Sequence, residues 1–211
     1  MSMLNPKPPE ANWPGATVAD IGHALASLDP GPLAELRRMS FDTDHPGTPM
    51  FWRLVNKYQL HGKEKPWANI IQMMAILTDK GDPEGRLSPH AARNEANGWR
   101  GLGHALCDGG DLAWGAGESD PRPMLSETRF ARLLAAKGKT RGDLLRRAIR
   151  ALAAKKPGGA AVDCADIARL LLFSGAPRTT RKLADHYYAR LDRAQQRDSD
   201  DADPKDTGDM Q

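Results

Sequence analysis

Two aspartates one helical turn apart are the first candidates for catalytic residues in the sequence. Asp163 and Asp166 could act as paired carboxylates in acid–base catalysis, with a histidine beside them. They also stand at the start of a predicted helix, where acidic side chains cap the first turn and interact favourably with the helix dipole. The capping role already explains both residues, so a small enzyme built on them is only a third alternative.

The remaining catalytic and metal-binding patterns are missing from the sequence. The histidines at positions 23, 45, 61, 90, 104 and 186 form no HExxH or other short ligand pair. The glycine-rich stretch GWRGLGHALCDGG lacks the spacing and the preceding strand of a nucleotide-binding loop, and there is no GxSxG. We therefore predict no catalytic site, no metal and no cofactor.

Arginines on one predicted helix are better candidates for binding chemistry. The helix begins at Thr140 with Asp143 in the capping position, and at 100° per residue its arginines lie opposite the apolar face. Guanidinium groups suit phosphate because their planar donors can engage two oxygens at once. The arginines are Arg146, Arg147 and Arg150, and the basic residues in flanking segments are Lys137, Lys139, Lys155, Lys156, Arg178, Arg181 and Lys182.

The charge of the 211-residue chain is distributed unevenly along the sequence. Its formal net charge is only +3, but residues 129–193 hold 16 basic and 5 acidic side chains, a net charge of +11. The segments before and after this region each have a net charge of −4. This local excess predicts an anionic partner, and nucleic acid is favoured over a membrane surface because the apolar helix faces are committed to a core.

The elements that must position these residues are helices. Apolar residues recur at helical spacing and no stretch alternates convincingly at period two, which predicts an all-α, compact bundle of about eight helices. The segment from Ile70 to Leu77 is apolar nearly all round, which predicts a buried central helix. Two packed helical halves are expected, at about 17–107 and 125–196.

The two ends of the chain differ in composition from this domain. Residues 1–16 are rich in proline and polar side chains, and residues 197–211 are acidic, so both are predicted to be disordered around an all-helical domain at 17–196. The sequence has no signal-peptide core and no run long enough to span a membrane. With Cys107 and Cys164 unpaired, a reduced cytoplasmic protein is expected.

The order of several segments resembles the CasB family, the small subunit of the type I-E CRISPR surveillance complex Cascade. The segments are LDPGPLAELRRM, MFWRLV, GLGHAL, RFARLL, DLLRRAIRAL, VDCADIARLLLF and ADHYYARL, which together span about residues 20–191. The resemblance implies a non-enzymatic, all-helical subunit present as two copies. Its implied partners are the large subunit and the backbone subunits, guide RNA and target DNA, and its implied role is to hold the R-loop open through phosphate contacts.

Basic positions carry over from this resemblance. Arg37 and Arg38 match paired arginines after the first helices, although by their position they could equally complement a helix C-terminus. Arg129 matches a basic position of the RFARLL helix, and Arg146 and Arg147 match the LLRR helix. The main alternative is a standalone helix-turn-helix regulator, built from the helices around Asp163 and Thr180, that would prefer one duplex sequence.

Overall fold

The computed structural model describes residues 14–41, 47–91, 100–116, 121–155 and 162–201, with side chains described up to residue 196. These residues form nine α-helices and contain no β-strand. The all-α prediction is therefore confirmed. The helices are α1 (Gly15–Ala26), α2 (Pro30–Arg38), α3 (Pro49–Lys57), α4 (Glu64–Leu77), α5 (Leu102–Asp108), α6 (Glu127–Ala135), α7 (Gly138–Lys155), α8 (Cys164–Leu172) and α9 (Pro177–Asp201).

Helix α4 lies at the centre of the fold. It packs against α1, α2, α3, α7 and α8, and most of its side chains from Trp67 to Leu77 are buried. A helix that is apolar nearly all round must be covered on every side, as the sequence predicted. One continuous hydrophobic core includes residues from all nine helices, so the two expected halves share a single core.

Helices α5 and α9 approach each other closely. A Cβ atom on Gly103 of α5 would lie 2.4 Å from the carbonyl oxygen of Leu183 on α9, so the contact requires glycine. Beside it, the rings of His104 and His186 stack with their centroids 4.7 Å apart. Burial and the neighbouring His186 lower the pKa of His104 to about 4.

A buried carboxylate fastens the same two helices to the following loop. Asp108 accepts two hydrogen bonds from Arg100, at 2.9 and 2.8 Å, and a third from Arg190 Nε at 2.9 Å. Arg190 also donates to the carbonyl of Trp114, and its guanidinium lies 5.3 Å from the centre of that indole ring. A fully buried aspartate paired in this way orders the end of α5 against α9.

Several predicted boundaries shift in the structure. Helix α7 begins at Gly138, so Asp143 lies inside the helix and pairs with Arg146, and the prediction that it caps the helix is wrong. Asp163 does cap α8, because its side chain accepts a hydrogen bond from the Ala165 amide. Helix α9 continues to Asp201, past the predicted boundary at residue 196. Residues 1–13, Lys156 and the tail from residue 202 lie outside the described residues.

Candidate nucleic-acid interface

The three arginines of α7 point in different directions. Arg146 is half-buried, donates to the Gln72 side chain on α4 at 3.1 Å and pairs with Asp143. Arg147 is exposed and faces α6, while Arg150 lies between these two directions on the outermost side of the helix. The sequence placed all three arginines on one basic face. In the structure Arg146 makes an internal contact, and only Arg147 and Arg150 remain exposed.

A groove between α6 and α7 gathers three exposed arginines. It encloses about 310 Å³, and its cationic rim consists of Arg129 and Arg132 from α6 and Arg147 from α7. Phe130 and Leu133 are both buried, and Leu133 also forms part of the groove wall beside the rim arginines. The apolar lining residues are Met124, Leu125, Leu133, Leu144, Ala148 and Ala151. None of the described residues that line the groove carries a carboxylate.

Arg132 was not among the candidates predicted from the sequence. Its signal was available, because it follows Arg129 by three residues in the segment RFARLL. Residues three apart lie on the same side of a helix. Helical spacing could therefore have identified Arg132 as a neighbour of Arg129.

A second group of cations lies where four helix ends meet. Arg141, which is buried, donates to the carbonyls of Ala136 at 2.7 Å and Ser174 at 2.9 Å. It thereby ties the ends of α6 and α8 to the start of α7, and its burial lowers its own pKa. The exposed candidates near this junction are Lys137, Lys139, Arg178 and Arg181, on the segments that begin α7 and α9.

The two arginines at the end of α2 have different surroundings. Arg37 donates from Nε to the Ala75 carbonyl at 2.8 Å and from Nη2 to the carbonyls of Thr78 at 2.6 Å and Asp79 at 2.9 Å. These acceptors form the C-terminal end of α4 and the residues after it. Burial, followed by the nearby Arg86, lowers the pKa of Arg37. Arg38 is exposed.

Lys182 and the candidate acid–base pair form one ion-pair network. Asp166 is buried and accepts hydrogen bonds from the Leu102 amide at 3.2 Å, Arg169 at 3.1 Å and Lys182 at 3.0 Å. Burial and the neighbouring Asp166 raise the pKa of Asp163. Nδ1 of His90 accepts a hydrogen bond from the backbone amide of the first residue of α8, at 3.2 Å. These contacts hold α5, α8 and α9 together.

Among the exposed side chains of residues 129–193, basic residues outnumber acidic ones by a larger ratio than they do in the sequence of the same region. Of the basic side chains in the described part of 129–193, ten are exposed, whereas only two of its carboxylates are exposed. The exposed cations are Arg129, Arg132, Lys137, Lys139, Arg147, Arg150, Lys155, Arg178, Arg181 and Arg193, and the exposed carboxylates are Asp185 and Asp192. A surface with such an excess attracts polyanions.

A family model described as CRISPR-associated protein Cse2 matches residues 32–188. The chain belongs to the Cse2 family. Cse2 is the CasB small subunit of type I-E Cascade, so the resemblance drawn from the sequence is confirmed. No curated protein and no solved structure gives a significant match.

The Cse2 match covers all eleven sequence-predicted site residues, from Arg37 to Lys182. Membership makes the chain a subunit of a CRISPR Cascade complex, in a family of structural subunits. Within the described residues, no helix is long and apolar enough to cross a membrane, and no cluster of His, Cys, Asp or Glu side chains could hold a metal ion.

Proposed function

We propose that this Cse2 family member binds nucleic-acid backbone in Cascade and stabilises the R-loop formed by guide RNA and target DNA. The observation that supports the proposal is the α6–α7 groove, in which three exposed arginines meet without a lining carboxylate among the described residues. Phosphates can enter such a groove without displacing an internal acidic partner.

The contacts are proposed to be independent of base sequence. In guide-directed recognition, pairing between guide and target reads the sequence, and the protein needs only to hold the backbone. Arginines on a rim above an apolar floor provide bidentate donors for phosphate oxygens. A helix-turn-helix regulator would instead discriminate between duplex sequences, and the family match favours the Cascade role.

The proposed interface has a centre and a periphery. Arg129, Arg132 and Arg147 form the centre, with Arg150 beside them on α7. The exposed cations at the four-helix junction extend it, and Arg38 provides an exposed contact in the first half of the chain. Arg37, Arg146 and Lys182 already donate to protein acceptors, so we propose that they mainly position these elements.

The protein partners are proposed from the family. We propose that the chain contacts the large subunit and the backbone subunits and is present as two copies in the complex. We further propose that it acts without catalysis, because the carboxylates of Asp163 and Asp166 are committed to amides and cations inside the fold. Replacing both with Asn should leave target cleavage by the assembled complex intact wherever the variant subunit still assembles.

Replacing the groove arginines tests the proposal. Arg129→Ala with Arg147→Ala should weaken binding to random-sequence DNA about tenfold in 0.1 M salt, by the same factor for every sequence tested. The slope of log affinity against log salt should fall by about 1.4–1.8, because two phosphate contacts are lost. Fluorescence anisotropy with labelled oligonucleotides measures both quantities, and dissociation of target DNA from assembled Cascade measures retention.

A control variant separates local contacts from overall charge. Arg53→Ala with Lys80→Ala removes the same two charges from exposed positions that line no part of the groove. This variant should bind DNA nearly as well as the unmodified chain. Equal weakening by the two double variants, or normal binding by the groove variant at every salt concentration, would refute the assignment.

A further inference from the structure

The α6–α7 groove has an anionic candidate occupant within the same chain. Residues 197–211 contain six aspartates, at positions 198, 200, 201, 203, 206 and 209, against Arg197 and Lys205. The segment therefore has a net charge of −4 and begins at the C-terminal end of α9. Its carboxylates complement the exposed guanidinium groups of the groove.

Helix α9 passes directly beside the groove. Tyr187 donates a hydrogen bond to the carbonyl of Leu125, a lining residue, at 2.6 Å. The Tyr187 ring also stacks on Phe130 of α6, with their centroids 3.8 Å apart. The middle of α9 is thus fixed against the helix that carries two of the three rim arginines.

The C-terminal half of α9 and the end of α7 meet at the same end of the molecule. Arg190 of α9 bonds to Asp108 at the end of α5, and the Lys155 side chain of α7 lies against the adjacent Gly109. Ala151, one turn before Lys155, lines the groove. Both helices thus approach the end of α5, and α9 continues for eleven more residues from Arg190 to Asp201 before the rest of the acidic segment begins.

The segment is long enough to return to the groove. From Tyr187 to Asp201 the helix rises about 21 Å, at about 1.5 Å per residue. The ten residues after Asp201 can extend to about 33 Å, which exceeds that rise. Asp209, eight residues after Asp201, can itself extend to about 26 Å, which is enough to bring its carboxylate back to the level of Tyr187 beside the groove.

We propose that the end of the acidic segment, the residues after Asp201, occupies the α6–α7 groove in the absence of nucleic acid, with carboxylates in the place of phosphates. This inference rests on the proposed function of the groove. The occupied groove excludes weakly bound, non-specific nucleic acid. A strand held in Cascade by guide pairing has a high local concentration and displaces the segment.

A charge-neutral tail tests the proposal in the full-length chain. Replacing the six aspartates with asparagine should raise affinity for a random single-stranded oligonucleotide about fivefold in 0.05 M salt, the effect of losing a few exposed ion pairs. The gain should vanish at 0.5 M salt, where exposed charges are screened. In the Arg129→Ala, Arg147→Ala background, the same tail substitution should have no effect.

The combinations of results distinguish the possible failures. If affinity rises equally in the groove-variant background, the tail acts through overall charge. If affinity rises in neither background, the tail does not affect binding. Either result overturns the inference. If the groove substitutions do not weaken binding with either tail, the proposed function fails instead.

A cross-link provides a direct test of the contact. Arg147→Lys keeps the positive charge and offers an amine, which a carbodiimide should couple to an aspartate of the segment. Mass spectrometry of the monomer band should identify the linked peptide, and Lys80 should give no such link. Links found only in a dimer band would place the segment in the groove of a second copy and overturn the proposal.

Discussion

Arg146 and Arg147 are adjacent in the sequence, yet the structure predicts different results when each is replaced by alanine. Arg146→Ala leaves the Oε1 atom of Gln72, a side chain that is only 4% exposed, without its guanidinium donor. An unsatisfied buried acceptor costs about 1–3 kcal/mol, and the partly exposed pair with Asp143 adds about 0.3–0.5 kcal/mol. We expect the free energy of unfolding to fall by about 2 kcal/mol and Tm to fall by about 4–8 °C.

Arg147→Ala should change binding without changing stability. The side chain is exposed on the groove rim, so its loss should alter the free energy of unfolding by less than about 0.5 kcal/mol. Losing one phosphate contact should weaken DNA binding about threefold and reduce the salt slope by about 0.7–0.9.

Thermal unfolding and fluorescence anisotropy at four salt concentrations measure the two effects on the same protein samples. Arg146→Lys is the matched control, because it keeps the charge and one donor, so its Tm should lie between those of Arg146→Ala and the unmodified chain. The reasoning is refuted if Arg147→Ala lowers Tm as much as Arg146→Ala. It is also refuted if Arg146→Ala leaves Tm unchanged and reduces the salt slope as Arg147→Ala does.

Three further predictions concern stability. Arg37→Ala should lower the free energy of unfolding by about 2 kcal/mol in thermal unfolding, because three carbonyls at the end of α4 lose their donor, whereas Arg38→Ala should leave it unchanged. The folded-state pKa of His104 is about 4, so the unfolded chain takes up the proton first, and stability should be full above about pH 6.5 and be lost as the pH falls towards 4. Urea unfolding at several pH values should show this loss, and His104→Gln should reduce it. Gly103→Ala should lower Tm because the new Cβ meets a carbonyl of α9 at 2.4 Å, whereas Gly142→Ala on α7, where a Cβ meets nothing within 4 Å, should not.

The sequence predicted the helices well wherever local pattern alone determines them. The buried centre at α4 followed from a segment that is apolar on every face, and Asp163 was correctly placed as a cap. Asp143 was misassigned because α7 begins earlier, at Gly138, a residue whose positive φ of 51° permits the turn into the helix. A capping residue is identified by its distance from the true helix start, and helical periodicity does not fix that start.

The candidate interface could be predicted only in part. Periodicity placed Arg146, Arg147 and Arg150 on one exposed side of a helix, but it could not show that Gln72, 74 residues earlier, would take the first of them. Arg37 likewise meets acceptors 38–42 residues away along the chain. Basic residues can be counted from the sequence, but tertiary contacts determine which of them remain exposed.

Three of the internal arginines donate to backbone carbonyls near the ends of helices, which explains why they were hard to separate from surface candidates. Arg37 donates to carbonyls at the end of α4, Arg141 to carbonyls at the ends of α6 and α8, and Arg190 to carbonyls after α5. The last carbonyls of a helix have no partner within the helix, and a guanidinium can satisfy two or three of these oxygens at once. The same planar donors would suit phosphate oxygens, so residue type cannot distinguish the two uses. The distinguishing feature is a free acceptor elsewhere in the fold within reach of the side chain, because Arg132 lies in the last turn of α6 and is nevertheless exposed on the rim of the groove.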